Sequence, residues 1–149
     1  MSVLFLFLTM RILLILLSLS TNCLSQDAIL GKWTTIDDDS GEARSVVEIV
    51  ERGSKVFGKI VRLYPGPGED PDPVCDQCPE EDVRYNKKII GLEIIQDMIW
   101  SEKELTNGSI LDPESGKIYQ CKIWLDGSNL KVRGYWGPFF RTQTWKKVH

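Results

Sequence analysis

The sequence predicts an all-β protein, a small antiparallel up-and-down β-barrel of about eight strands. Short runs of alternating apolar and polar residues recur along the chain, and tight-turn residues separate them. No stretch carries the apolar spacing of a strong amphipathic helix. Glycines lie inside predicted strands at Gly58, Gly91 and Gly134, where a small closed sheet has to bend. These observations favour a barrel over a sandwich.

Residues 1–25 are predicted to be a signal peptide rather than part of the fold. Residues 1–20 are almost wholly apolar with one charge, at Arg11, and the small residues Cys23 and Ser25 precede a candidate cleavage site. A retained membrane anchor is the alternative, because about 20 apolar residues span a bilayer. Cleavage leaves residues 26–149 as one domain that is secreted or periplasmic and has no stable membrane span.

The charge balance argues against a nucleic-acid partner. The chain has 18 basic and 21 acidic residues, a formal net charge of −3. Nucleic-acid binding needs a clustered basic face, and the sequence shows none.

Turn residues bound each predicted strand. The predicted strands are Gly31–Ile36, Arg44–Val50, Lys55–Tyr64, Lys88–Ile95, Lys117–Leu125, 129–136 and Phe140–Val148. Residues 96–105 stay open between strand and helical turn, since no periodicity decides them. Asn107-Gly108 predicts a two-residue hairpin turn, and residues 112–116 predict a second turn.

Residues 65–82 form a long loop rich in proline and acids, which excludes an interior strand. Within it, Cys75-x-x-Cys78 predicts a disulfide, because export implies an oxidising compartment. Half of a zinc site and a redox pair are the alternatives, but the first needs two further ligands and the second needs a helix N-terminus. Cys121 lies on an apolar strand and is predicted to be a buried free thiol.

Several segments together resemble one protein family. They are Gly31-x-Trp33, residues 88–92, Gly108-x-Ile110-x-Asp112-Pro113-x-x-Gly116-Lys117-x-Tyr119, residues 130–135 and residues 141–145. In this order they are similar to the exported bacterial proteins grouped as domain of unknown function 2147, over the whole predicted mature chain. The resemblance implies a lipocalin-like (calycin-type) barrel and a signal peptide, and it implies no particular activity.

Trp33 and Arg141 resemble the closure of a lipocalin barrel. There, a tryptophan near the start of the first strand packs at the closed end under an arginine of the last strand. A guanidinium over an indole contributes about 1 kcal/mol. The expectation is that Arg141 covers Trp33.

Aromatic residues late in the chain indicate a binding site. We expect a small apolar or amphipathic ligand at the barrel mouth, with Arg133 fixing an anionic group. The residues predicted to contact it are Tyr119, Trp124, Arg133, Tyr135 and Trp136. The alternative is that these side chains fill the interior, as in many small barrels, and that the 65–82 loop contacts another envelope protein.

No catalytic, cofactor or metal site is predicted. The single histidine is the final residue, His149, so a nucleophile has no credible general base. Asp112 and Glu114 form the best carboxylate pair for an enzyme acting on a glycan. An aspartate that caps its own turn explains Asp112 without a substrate.

Overall fold

The structure, a computed structural model, describes residues 27–149, which form a closed barrel of eight antiparallel strands. The strands are β1 (Gly31–Ile36), β2 (Ala43–Arg52), β3 (Lys55–Leu63), β4 (Glu93–Ser101), β5 (Glu104–Asp112), β6 (Lys117–Asp126), β7 (Asn129–Trp136) and β8 (Phe139–Lys147). The predicted fold class is therefore confirmed. The predicted signal peptide lies outside the described residues. Between residues 27 and 149 the chain forms no helix with the length and hydropathy of a membrane span.

The barrel closes along a short seam between β1 and β8. Trp33 lies opposite Lys147 and Thr34 opposite Lys146, whereas the ladder between β7 and β8 runs the full length of β7. Among the described residues, the ladder between β1 and β8 ends at Thr34. Beyond that point, Asp38 in the connection that follows β1 forms an ion pair with Arg141 of β8.

Trp33 fills the closed end of the barrel, where β1 begins. Its side chain is 1% exposed, and its indole N–H donates a hydrogen bond to the Ile29 carbonyl at 2.8 Å. Lys147 Nζ lies 4.4 Å from the centre of the indole ring and donates to the carbonyls of Leu30 at 2.7 Å and Ala28 at 3.3 Å. Burial lowers the pKa of Lys147, while the carbonyls and the indole face stabilise its charge.

The prediction that Arg141 covers Trp33 is wrong. Arg141 lies near the start of β8, opposite Gly134, and its guanidinium pairs with Asp38 at 2.6 Å. The residue across from Trp33 is Lys147, which is about 20 Å further along the strand at about 3.3 Å per residue. The cation over the indole therefore comes from the end of β8 rather than from its beginning.

Two of the register shifts in the sheet occur at glycines for which the sequence predicts a bend or a turn. At Gly58 the register between β3 and β4 shifts, so the predicted bend is present. Asn107-Gly108 lies inside β5 instead of forming the predicted hairpin turn. The register between β5 and β6 shifts there, and Asn107 has a φ of 59°, so the dipeptide forms a bulge. The hairpin turn falls at residues 102–103, within the segment that the pattern left open.

Residues 64–92 join β3 to β4 and fold against the open end of the barrel. Cys75 and Cys78 form the predicted disulfide, and both are buried. The strand predicted from residue 88 begins only at Glu93, because Lys88 makes a single bridge, to Val74. We call residues 64–92 the disulfide loop.

The disulfide loop packs directly on the turn between β5 and β6. A Cβ placed on Gly116 would lie only 1.7 Å from the carbonyl oxygen of Gln77. The Pro113 carbonyl oxygen lies 3.8 Å from Cys75 Sγ. The turn and the loop therefore form one packed unit.

Acid is expected to weaken one anchor of the disulfide loop. Arg84, which is 6% exposed, donates to the Asp82 carboxylate at 2.9 and 2.6 Å, and these bonds lower the pKa of Asp82. A carboxyl group with a lowered folded-state pKa stabilises the fold above its unfolded pKa, and this contribution is lost as the pH falls through the folded value. The free energy of unfolding of Asp82→Asn should therefore approach that of wild type below about pH 4. Urea denaturation at a series of pH values measures the free energy of unfolding of both proteins. A difference between them that stays constant down to low pH would contradict the prediction.

Candidate functional site

The end of the barrel opposite Trp33 is open and contains a cavity of about 710 Å³. The connection at residues 37–42, the disulfide loop and the β5–β6 turn contribute to its mouth, with the ends of β7 and β8. Apolar side chains form part of its wall, among them Ile60, Leu63, Ile89, Ile94, Ile110 and Val132. Pockets for small ligands occupy about 300–1,000 Å³. The barrel is therefore filled at its closed end and hollow at its open end.

A missing side chain on β7 helps to shape the interior. Gly134 lies opposite Cys121, and a Cβ at this position would lie 3.3 Å from the Cβ of Tyr119. The side chain of Tyr119 can therefore lie across β7 on the inner face. Trp145 also lines the cavity, and its indole N–H donates to Gln143 Oε1 at 3.1 Å.

The uncharged polar side chains of the lining include Thr35, Ser45 and Gln143. Thr35 Oγ1 and Ser45 Oγ lie 2.8 Å apart, and the Ser45 N–H donates to Thr35 Oγ1 at 3.0 Å. Gln143 adds a side-chain amide. An apolar wall with a small number of hydrogen-bonding groups suits a ligand that is mainly hydrocarbon.

Arg44 ties the rim of the cavity together. It donates to Glu69 of the disulfide loop at 3.0 Å and to Glu114 of the β5–β6 turn at 2.9 Å. The Gly66 N–H and Arg44 both donate to Glu69, and these bonds lower the pKa of that carboxyl group. Three segments that are distant in sequence therefore meet at one guanidinium.

The structure brings two of the five predicted binding residues to the cavity, Tyr119 and Trp136. The prediction that Trp124, Arg133 and Tyr135 line the mouth is wrong. Side chains alternate along a strand, and the inward positions of β7 are those of Val132, Gly134 and Trp136. Arg133 and Tyr135 consequently lie on the outer face, and Trp124 lies beside Arg133.

Arg133 takes part in stacking on the outside of the barrel. Its guanidinium carbon lies 5.0 Å from the centre of a Trp124 ring and 4.4 Å from that of Phe140. Its Nε donates to Thr142 Oγ1 at 2.7 Å. Arg133 is therefore held between two rings on the outer surface and does not reach the cavity.

The structure adds rim residues that the sequence pattern did not indicate. Arg44, Phe139 and Arg141 all line the cavity. Trp145 and Gln143 point into the barrel, and side chains alternate along a strand, so Phe139 and Arg141 of β8 could have been expected to point inward as well. Arg44 had no local signal.

Asp112 and Glu114 both line the cavity, but their bonding is that of a turn. Asp112 accepts hydrogen bonds from the Glu114 N–H at 3.1 Å and from the Ser115 hydroxyl at 2.6 Å. Glu114 is paired with Arg44. This is the geometry of an aspartate that caps its own turn, as expected from the sequence.

Cys121 is the predicted buried free thiol, and it is 4% exposed. Burial raises its pKa to about 12, so it stays protonated and is a poor nucleophile and metal ligand. Within residues 27–149, no group of three or more His, Cys, Asp or Glu side chains is arranged to hold a metal ion.

Comparison with known proteins agrees with this architecture. Protein HP1028 from the human pathogen Helicobacter pylori, described as belonging to the lipocalin family, has a similar structure. The TM-score is 0.67 at 20% sequence identity, over 81% of this chain and 83% of that one, so the likeness concerns the fold. No curated protein matches the chain. The model of a family described as uncharacterized protein conserved in bacteria (DUF2147) matches residues 31–147, and this chain, a lipocalin-like barrel, therefore belongs to the DUF2147 family.

Proposed function

We propose that the protein is a binding module that takes a small apolar or amphipathic ligand into the open end of its barrel. The observation that supports this most directly is the cavity of about 710 Å³, whose wall includes a set of apolar side chains. A solid barrel, the alternative considered from the sequence, would leave no such volume. Tyr119 on the wall and Trp136 at the mouth are the proposed aromatic contacts.

We also propose that the protein binds without catalysis. The carboxylates at the mouth that suggested glycan chemistry are engaged in the turn and in the pair with Arg44. The Cys121 thiol is buried, and His149 lies beyond the last strand. These observations favour a ligand-binding cavity over a catalytic site.

We propose that the protein acts outside the cytoplasm. The bacterial family and the buried disulfide fit export, because such bonds persist in oxidising compartments. The disulfide loop contributes Pro73, Val74 and Asp76 to the cavity wall. We therefore assign this loop to the ligand site rather than to an envelope partner.

Replacing Ile110 with tryptophan is expected to weaken ligand binding about tenfold or more, which corresponds to about 1.4 kcal/mol. Ile110 lines the cavity, and its Cγ2 lies 3.9 Å from the place of a Cβ on Gly134. A larger ring here occupies space that the ligand needs. Titration with the neutral fluorescent probe N-phenyl-1-naphthylamine measures the affinity.

Ile118→Trp is the matched control for this experiment. Ile118 lies on the neighbouring strand β6, is 46% exposed and does not line the cavity. The control should bind the probe as wild type does. Equal probe binding by both variants, or no binding by the wild-type protein of this probe or of any ligand detectable by native mass spectrometry, would overturn the proposed function.

A further inference from the structure

We infer that the ligand of this cavity is an amphiphile with a positively charged polar end, such as an amine or a quaternary ammonium group, held at the mouth of the barrel. The inference rests on the proposed function and adds to it the charge of the ligand. It reverses the expectation drawn from Arg133, which lies outside the cavity.

Carboxylates greatly outnumber cations at the mouth. Eight Asp and Glu residues line the cavity against two arginines and no lysine. Both arginines are already paired, Arg44 with two glutamates and Arg141 with Asp38. Five lining carboxylates form no ion pair with any residue between 27 and 149. They are Asp37, Asp39, Asp70, Asp76 and Asp112.

Hydrogen bonds within the loops hold some of these carboxylates in place at the mouth. Asp37 accepts hydrogen bonds from the Ser40 N–H at 2.7 Å and the Ser40 hydroxyl at 2.9 Å, which lower its pKa and keep it ionised. A mouth with an excess of one sign of charge focuses the field on whatever enters. An anionic head group would have to take Arg44 or Arg141 from its carboxylate partner, whereas a cationic one meets carboxylates that form no ion pair.

Aromatic rings at the mouth favour the same charge by different chemistry. Trp136 and Phe139 line the cavity, are 68% and 67% exposed, and have ring centres 6.3 Å apart. The faces of such rings attract cations, and quaternary ammonium groups are commonly recognised by aromatic side chains. The Trp136 ring already has a cation of this chain near it, since Lys117 Nζ lies 5.7 Å from its centre. The excess of carboxylates and the exposed aromatic rings at one mouth both favour a cation.

Three amphiphiles with the same chain and different head groups test the inference. Dodecyltrimethylammonium, dodecanol and dodecanoate are titrated below micelle formation by displacement of N-phenyl-1-naphthylamine from the full chain. At low ionic strength the cation should bind about tenfold or more tighter than dodecanoate, with dodecanol between them. In about 0.5 M salt this difference should narrow, because salt screens exposed charges.

Matched charge variants show whether the mouth carries the preference. The triple variant Asp39→Asn, Asp70→Asn and Asp76→Asn removes three lining carboxylates that form no ion pair. It should lower the affinity for dodecyltrimethylammonium, raise that for dodecanoate and leave that for dodecanol unchanged. The control Asp27→Asn, Glu51→Gln and Asp126→Asn makes the same change in net charge at the opposite end, where none of the three residues lines the cavity.

The outcomes separate this inference from the function on which it rests. Equal affinity for the three compounds, or tighter binding of dodecanoate, would overturn the inference and leave the binding function intact. An equal response of both triple variants would overturn the assignment of the preference to the mouth. Failure of all three compounds to displace the probe would count against the binding function itself.

Discussion

Trp33→Ala is expected to destabilise the protein by about 3–5 kcal/mol, a large part of the stability of a domain this size. The indole is 1% exposed, and its removal leaves a cavity at the closed end of the barrel. It also leaves the Ile29 carbonyl without its donor and removes the ring under Lys147, whose pKa burial already lowers. Urea denaturation followed by far-ultraviolet circular dichroism measures the loss.

Trp136→Ala is the control for this prediction. Trp136 has the same side chain but is 68% exposed, so its removal should cost within about 1 kcal/mol. Equal losses in the two variants would show that Trp33 does not anchor the closed end. The contrast distinguishes burial from the chemistry of the residue type.

Gly116→Ala is expected to cost about 2–4 kcal/mol, although only one methyl group is added. Gly116 has a φ of 71°, which L residues rarely adopt, and the new Cβ would lie 1.7 Å from the Gln77 carbonyl oxygen. That oxygen belongs to the backbone between Cys75 and Cys78, so a rotamer change cannot relieve the clash. The disulfide loop has to shift, and the cavity wall that it forms shifts with it. Thermal denaturation and probe titration measure the two effects.

Gly127→Ala separates the two causes. Gly127 has a φ of 60° in the β6–β7 turn, but a Cβ there meets no atom within 4 Å. This variant should lose about 1 kcal/mol from backbone strain alone and keep wild-type probe binding. Equal losses at Gly116 and Gly127 would contradict the packing of the disulfide loop on the β5–β6 turn.

The barrel could be predicted because most of its strands carry their own signal, whereas β5 contains the Asn107-Gly108 dipeptide that indicates a turn. Alternation in β6 and β7 and the turn residues beside them are local features, and they set the strand count without knowledge of the whole. The register of each strand depends on the pairing of all the strands before it around the barrel. The shift at Asn107-Gly108 changes it within β5, and the residue facing Trp33 depends on every pairing before β8. The pairing of Arg141 with Trp33 is implied only by the family resemblance, and local sequence patterns do not show that Lys147 faces Trp33.

The candidate site was less predictable than the fold. Tyr119 and Trp136 could be found because their inward phase follows from the buried residues of their strands. Trp124 and Arg133 are close in sequence to the inward residues, but neighbouring side chains on a strand point to opposite faces of the sheet. The rim depends on contacts across long separations, since Arg44 meets Glu69 and Glu114 over 25 and 70 residues. A local sequence pattern does not predict contacts between residues so far apart in the chain.

Because the seam between β1 and β8 is short, the hydrogen bonding between neighbouring strands is uneven around the barrel. Within the described barrel no other neighbouring strands share so few ladder pairs. We therefore expect local opening of the barrel wall to cost least along this seam. Above Thr34 the gap is spanned by the exposed ion pair of Asp38 and Arg141, which solvent weakens. The wall of the barrel is therefore held together least firmly on the side of this seam.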